Sequence, residues 1–176
     1  MRIIFTIIIS ILSITILNAQ QYVSSKEITK KKENGIEKIY YNNQLFSGAM
    51  TASYENGKPK SWISVEKGII DGLWQEWYEN GQLRFNAYWK AGKGHGLWQY
   101  FHENGVLRQE EFYDLDLATG IFREFYNNGQ IAQQSSWLLG KKHGIWQYFD
   151  NAGMLVKTET YQNNELISTS ENKNKK

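Results

Sequence analysis

Of the side chains that carry most protein chemistry, this chain has three histidines, 18 acidic residues and no cysteine. Without cysteine there can be no disulfide, thiolate nucleophile, thiolate-bound zinc, iron–sulfur cluster or lipid-modified cysteine at a mature N-terminus. His95 and His143 share one repeating slot, 48 residues apart, whose other copies are Ser47, Asp71 and Thr119. Two same-slot histidines with no evident third ligand do not make a metal site, and they are assigned to surface turns. His102, between Phe101 and Glu103, is assigned to a hairpin tip. Ser135 and Ser136 lack the strained turn of an activated nucleophile. Glu76, Glu103, Glu110, Glu111 and Glu124 are spread along strands and turns, and hydrolysis would need two of them facing each other across a polar cleft. No enzymatic activity, cofactor or metal is expected.

Noncovalent recognition is the chemistry that remains. Aromatic residues make up 15% of the chain, with 7 Trp and 11 Tyr. Trp77, Tyr78, Tyr100, Phe101, Phe125, Tyr126, Tyr148 and Phe149 come as adjacent pairs, and neighbours on a strand point to opposite faces. One ring of each pair can pack while the other meets a protein, peptide or glycan through apolar contact and hydroxyl hydrogen bonds. These eight are the candidate partner-binding residues.

The elements that position them follow from the glycines. Gly48, Gly72, Gly96, Gly120 and Gly144 are each 24 residues apart, and nine positions after them stand Gly57, Gly81, Gly105, Gly129 and Gly153. Two registers kept through five units define a repeat array. Within a unit, Gly72-Leu73-Trp74-Gln75-Glu76-Trp77-Tyr78 leads into Glu79-Asn80-Gly81-Gln82-Leu83. An aromatic strand, an Asn-Gly turn and a returning strand predict a β-hairpin. On the return, Leu83, Phe85, Ala87 and Trp89 share one face, while Gln109, Glu111, Gln133 and Ser135 make the middle of later rows polar. Trp74, Trp98, Phe122 and Trp146, two residues after the unit glycine, are read as packing between repeats. The unit glycines suit a bulge or close strand approach, and the connectors Lys90–His95 and Leu138–His143 turn the chain back. Tyr40-Tyr41-Asn42-Asn43 is expected to supply the strand before the first complete unit.

The Gly-hydrophobic-Trp-x-x-aromatic-aromatic and Glu-Asn-Gly-x-Leu segments, as they stand from Gly72 to Leu83, resemble those of bacterial MORN-variant repeat proteins, among them the group labelled YwqK-like antitoxins. The resemblance covers about residues 40–166. It implies a binding scaffold, with an antitoxin or immunity role against a toxin as one form of it.

The flanks complete the organisation. Arg2 precedes the apolar run Ile3–Leu17, short for a bilayer span of about 20 residues, and Ala19 offers a small residue for cleavage. Residues 1–19 are read as a signal peptide, leaving no stable transmembrane domain and a chain that is periplasmic, outer-envelope associated or secreted. Without that segment, whose one charge is Arg2, the formal charge falls from +2 to +1. Such a balance gives little attraction for nucleic acid or anionic lipid. Residues 20–39 read as a polar lead or irregular first strand, 40–166 as the repeat domain, and 167–176 as a flexible tail.

The expected fold is all-β: an elongated single-sheet array of consecutive antiparallel hairpins with a 24-residue period. The expected function is an exported scaffold for a protein or envelope component. Alternatives are an antitoxin or immunity protein, a passive structural envelope protein, and a carbohydrate-binding protein.

Overall fold

The computed structural model describes residues 21–172. The expected signal peptide and the last four residues of the expected tail lie outside the described residues. Strand β1 (Tyr22–Ser24) leads through a short 3-10 turn into β2 (Thr29–Glu33), β3 (Ile36–Tyr41) and β4 (Gln44–Leu45). The repeats follow as β5 (Gly48–Ser53), β6 (Pro59–Glu66), β7 (Ile69–Trp77), β8 (Leu83–Lys90), β9 (Lys93–Phe101) and β10 (Leu107–Asp114). They continue through β11 (Leu117–Ala118), β12 (Gly120–Phe125), β13 (Ile131–Leu138), β14 (Lys141–Phe149), β15 (Leu155–Gln162) and β16 (Glu165–Glu171). From β5 to β16 the strands add in chain order to one open sheet, antiparallel throughout, with the short β11 pairing only β10.

Two turn types alternate down the array. At the tips the Gly81 amide bonds the Tyr78 carbonyl and the Tyr78 amide the Gln82 carbonyl, with only Gly81 at positive φ. That is a three-residue loop with glycine in the left-handed position, and the Asn80 side chain closes it by accepting from the Gln82 amide at 2.8 Å. At the connectors two successive residues take positive φ, as in Ala91 (49°) with Gly92 (79°) and Leu139 (48°) with Gly140 (79°). These two-residue turns match the twist of the strands they join.

The unit glycines are also left-handed, Gly72 at φ 100° and Gly96 at 77°. The register slips beside them, between Ile63 and Val65 and between Ala87 and Trp89. The expected bulge is there.

Both sides of the array are stapled from one unit to the next. On the connector side Gly92 N reaches Ile70 O, Asp116 N reaches Gly94 O and Gly140 N reaches Ala118 O, each at 2.8 Å. On the tip side phenol hydroxyls reach carbonyls 23 residues on, Tyr54 to Trp77 and Tyr126 to Phe149. Backbone and hydroxyl bonds therefore set the pitch at two strands per repeat, about 10 Å.

The repeat strands β5–β16 form the expected single sheet, and β2, β3 and β4 form a separate three-stranded one beside it. Two readings of the flanks need correction. The strand beside β5 is β1, pairing in parallel from Tyr22↔Ala49 to Ser24↔Thr51, and Tyr40-Tyr41 lies in β3 of the small sheet. Within residues 20–39, β1, β2 and most of β3 are paired strand, and Val23 and Ile39, with Phe46, join Met50, Ile63 and Val65 in a buried cluster. The expected tail is strand through Glu171, with Ser168, Thr169, Ser170 and Glu171 paired to β15 and Ile167 left over at a bulge.

Together these flanks cap the array. The small sheet covers the first repeat's inner row, while at the other end Thr169 sits opposite Glu159, in the slot that Trp98 fills opposite Ala87. Ring packing stops at Tyr161, and an exposed strand that begins Glu165-Leu166-Ile167 and ends in Ser, Thr and Glu closes the sheet.

Candidate functional site

The sheet has two faces of different chemistry. On the first, Trp74, Trp89, Trp98, Tyr113, Phe122, Trp137, Trp146 and Tyr161 form an unbroken ladder with ring centroids 4.8–5.5 Å apart. Trp74, Trp98, Phe122 and Trp146 all lie in it, as the packing role requires. Trp98 and Trp146 also donate their indole N–H to the Tyr88 and Ser136 carbonyls. With no second layer over most of this face, the rings bury one another.

Beside the ladder stand two equivalent clusters 48 residues apart. Glu111 accepts from Tyr113 at 2.9 Å and Gln109 at 2.6 Å; Glu159 accepts from Tyr148 at 2.8 Å, Tyr161 at 3.0 Å and Lys157 at 3.0 Å. Gln109 stands in the first where Lys157 stands in the second, and Glu111 also lies near Glu124 and Arg108. Burial holds the Glu111 carboxyl above the usual carboxylate range, whereas Lys157, with the Tyr148 hydroxyl, holds Glu159 below it. Burial and the neighbouring Glu111 push the Tyr100 phenol up to about 12, and burial raises Tyr113 and Tyr148 further.

The tip-side end of this face is concave. Two depressions of about 350 and 450 Å³ share Glu76, Tyr78 and Arg84 and run together as one trough from Tyr54 to Arg108. Arg84 pairs with Glu76. Lys60 lies over the Tyr54 ring at 5.4 Å and Arg108 over the Tyr100 ring at 5.5 Å. Their sequence signal is a basic residue three positions after Gly57, Gly81 and Gly105, which a search for aromatic periodicity passes over.

Register and alternation put Gln75, Asn86, Gln99, Glu110, Arg123, Gln134 and Gln147 in a polar row down the middle of the second face. Contacts such as Gln99–Glu110 and Arg123–Gln134, both 3.1 Å, link its members. On the tip side of this row lie Trp77, Phe101, Phe125 and Phe149, half-buried and opposite Leu83, Leu107, Ile131 and Leu155. On the connector side runs a more open strip: Tyr88 is 47% exposed, Leu97 43%, Phe112 44%, Ile121 41% and Ile145 56%.

The eight candidate aromatics are therefore not one surface. Trp77, Phe101, Phe125 and Phe149 form the tip row of the second face, and Tyr100 and Tyr148 belong to the first. Tyr78 and Tyr126 spend their hydroxyls on repeat-to-repeat bonds of 2.8 Å. The exposed strip was readable as Leu or Ile immediately after each unit glycine from Gly72 onward, a position overshadowed by the aromatic one beside it.

The histidines stay apart. His95 Nδ1 is 3.2 Å from Asp114, and His102 Nε2 is 3.4 Å from the Phe125 carbonyl, in the slot where Tyr78 and Tyr126 place hydroxyls. Among the described residues no group of three or more His, Asp or Glu is arranged to hold a metal, and no helix is long and apolar enough to cross a membrane.

Residues 70–91, 94–115, 118–138 and 142–163 match the family model of the MORN repeat variant. The Gly48 unit lies outside these four matches, although β5 and β6 form the same hairpin. No curated protein matches the chain. MORN repeats generally serve in binding or scaffolding.

Proposed function

We propose that this chain of MORN-variant repeats is an exported, noncovalent binding scaffold whose partner is a protein of the cell envelope. The observation that carries the reading is the open strip of Tyr88, Leu97, Phe112 and Ile121 on the second face, with Ile145 beyond Ser136. Contiguous exposed apolar side chains on an otherwise polar surface mark interaction sites. Flanked by the polar row and the half-buried Trp77, Phe101, Phe125 and Phe149, the strip offers the apolar centre and polar surround of a protein interface. A rigid sheet presents it without loss of backbone freedom on binding, which favours affinity. Export is supported by the apolar Ile3–Leu17 run and Ala19.

The test is capture from the envelope fraction of the native organism by the chain starting at Gln20, beside a Leu97→Thr/Phe112→Thr variant with an unchanged melting curve. A discrete, saturable protein held by the parent and released by the variant is the expected result. Identical capture by both, or none by either, would end the reading and favour a passive structural role. A captured toxin neutralised on binding would make the scaffold an antitoxin or immunity protein.

A further inference from the structure

The trough on the first face holds a row of cations placed there by the backbone. In each repeat the returning strand carries one residue skipped by the register: Ser61 pairs Ala52 and Pro59 pairs Ser53, leaving Lys60 over; Arg84 and Arg108 are left over in the same way. Such a bulge re-aims its extra side chain. Here it sends Arg84 to Glu76, on the aromatic face, and Arg108 over Tyr100. The next two bulge positions are Ala132 and Val156, so the row is confined to the first three units, where the trough lies.

Lys60, Arg84 and Arg108 sit on β6, β8 and β10, two strands apart each time, which spaces them at about 10 Å. Glu76 balances Arg84. Among the described residues no carboxylate forms an ion pair with Lys60 or Arg108, one at each end of the trough, although Glu111 lies near enough to Arg108 to feel its charge. Lys60 and Arg108 sit over the Tyr54 and Tyr100 rings, and Tyr78 and Phe85 line the trough between them.

This arrangement selects among anionic ligands. The strands beneath are paired on both sides, so the face offers side chains rather than free amides and carbonyls, and an acidic peptide would find no ladder to join. Flat rings suit the C–H faces of sugars, and guanidinium or ammonium groups suit carboxylate, sulfate or phosphate. A cation every two strands corresponds to about one extended disaccharide. We propose that this trough binds an acidic glycan laid across β6–β10, its acidic groups on Lys60 and Arg108 and its sugar rings between them on Tyr78 and Phe85, with Arg84 held in place by Glu76.

The experiment is calorimetric titration of the chain from Gln20 with a hyaluronan hexasaccharide, which carries one carboxylate per disaccharide. A neutral cello-oligosaccharide, a polyglutamate peptide and phosphatidylglycerol vesicles are the comparisons. Saturable hexasaccharide binding that weakens with salt is expected, reduced about tenfold by either Lys60→Gln or Arg108→Gln, a loss of about 1.4 kcal/mol. Ala132→Arg extends the row by one repeat and is expected to strengthen binding of an octasaccharide, a gain that damage to the fold cannot mimic. Equal binding of the neutral sugar, preference for polyglutamate or vesicles, no binding of the hexasaccharide, or affinity untouched by Arg108→Gln would each overturn the proposal. Because the trough and the apolar strip are on opposite faces, Arg108→Gln leaves envelope-protein capture intact and Leu97→Thr leaves glycan binding intact.

Discussion

The Tyr78 hydroxyl donates to the Phe101 carbonyl oxygen across 2.8 Å, tying the hairpin tip of one repeat to the strand end of the next. Tyr126 repeats the bond with Phe149 at the same distance. In a quasi-one-dimensional array each repeat touches mainly its neighbours, so such a bond adds directly to an interface between units. Tyr78→Phe keeps the ring and removes the donor, leaving a partly buried carbonyl unpaired. A loss of about 0.5–1.5 kcal/mol is expected, and about twice that for the Tyr78→Phe/Tyr126→Phe pair, whose sites are far enough apart to add. Urea denaturation checks it, as a lower midpoint at unchanged slope. An unmoved midpoint would mean that these hydroxyls are as well served by water and are free for a partner.

Period and turn residues made the array legible because both report backbone requirements: glycine recurs where φ is positive, and aromatics recur where strands must bury their own faces. The caps were not legible. Val23, Ile39 and Phe46 lie in short apolar patches scattered through a polar stretch with no repeat period, and only tertiary packing brings them onto Met50 and Ile63. The division of labour among the candidate aromatics was hidden for a related reason. Tyr78 and Tyr100 are both half-buried and both line the trough, but the Tyr78 hydroxyl is bonded to the next repeat's backbone while the Tyr100 ring packs against Phe85. Lys60, Arg84 and Arg108 escaped notice because alternation assigns a strand residue to one face, and a bulge breaks that assignment.

Leu139 offers a test in the stabilising direction. It occupies the first position of a two-residue connector turn at φ 48° and is 60% exposed, so little packing offsets its left-handed backbone. Asn enters that region more readily than Leu and avoids the unfolded-state freedom that Gly would add. Leu139→Asn is expected to raise stability by about 0.5–1 kcal/mol, seen as a higher urea midpoint. A decrease would mean that the Leu139 side chain packs to more effect than its exposure implies.

Glu111 and Glu159 occupy the same slot two repeats apart and should make stability depend on pH in opposite senses. Burial raises the Glu111 carboxyl, so the native state binds its proton more tightly than the unfolded chain does. In the window from the unfolded value up to the raised native one, the native state carries more protons, and stability falls as pH rises. Glu159 is lowered by Lys157 and Tyr148, so its contribution is present above the unfolded value and is lost as pH falls through the native one. Glu111→Gln should therefore flatten the decline on the higher-pH side of the carboxylate range, and Glu159→Gln the decline on the acid side. Urea midpoints between about pH 3 and pH 8 separate the two, since each variant removes one slope and leaves the other. Parallel profiles for both variants would show that Gln109 and Lys157 do not set the two carboxyls apart. Lys157→Gln supplies the cross-check: by giving Glu159 the neighbour that Glu111 has, it should shift the acid-side loss toward higher pH.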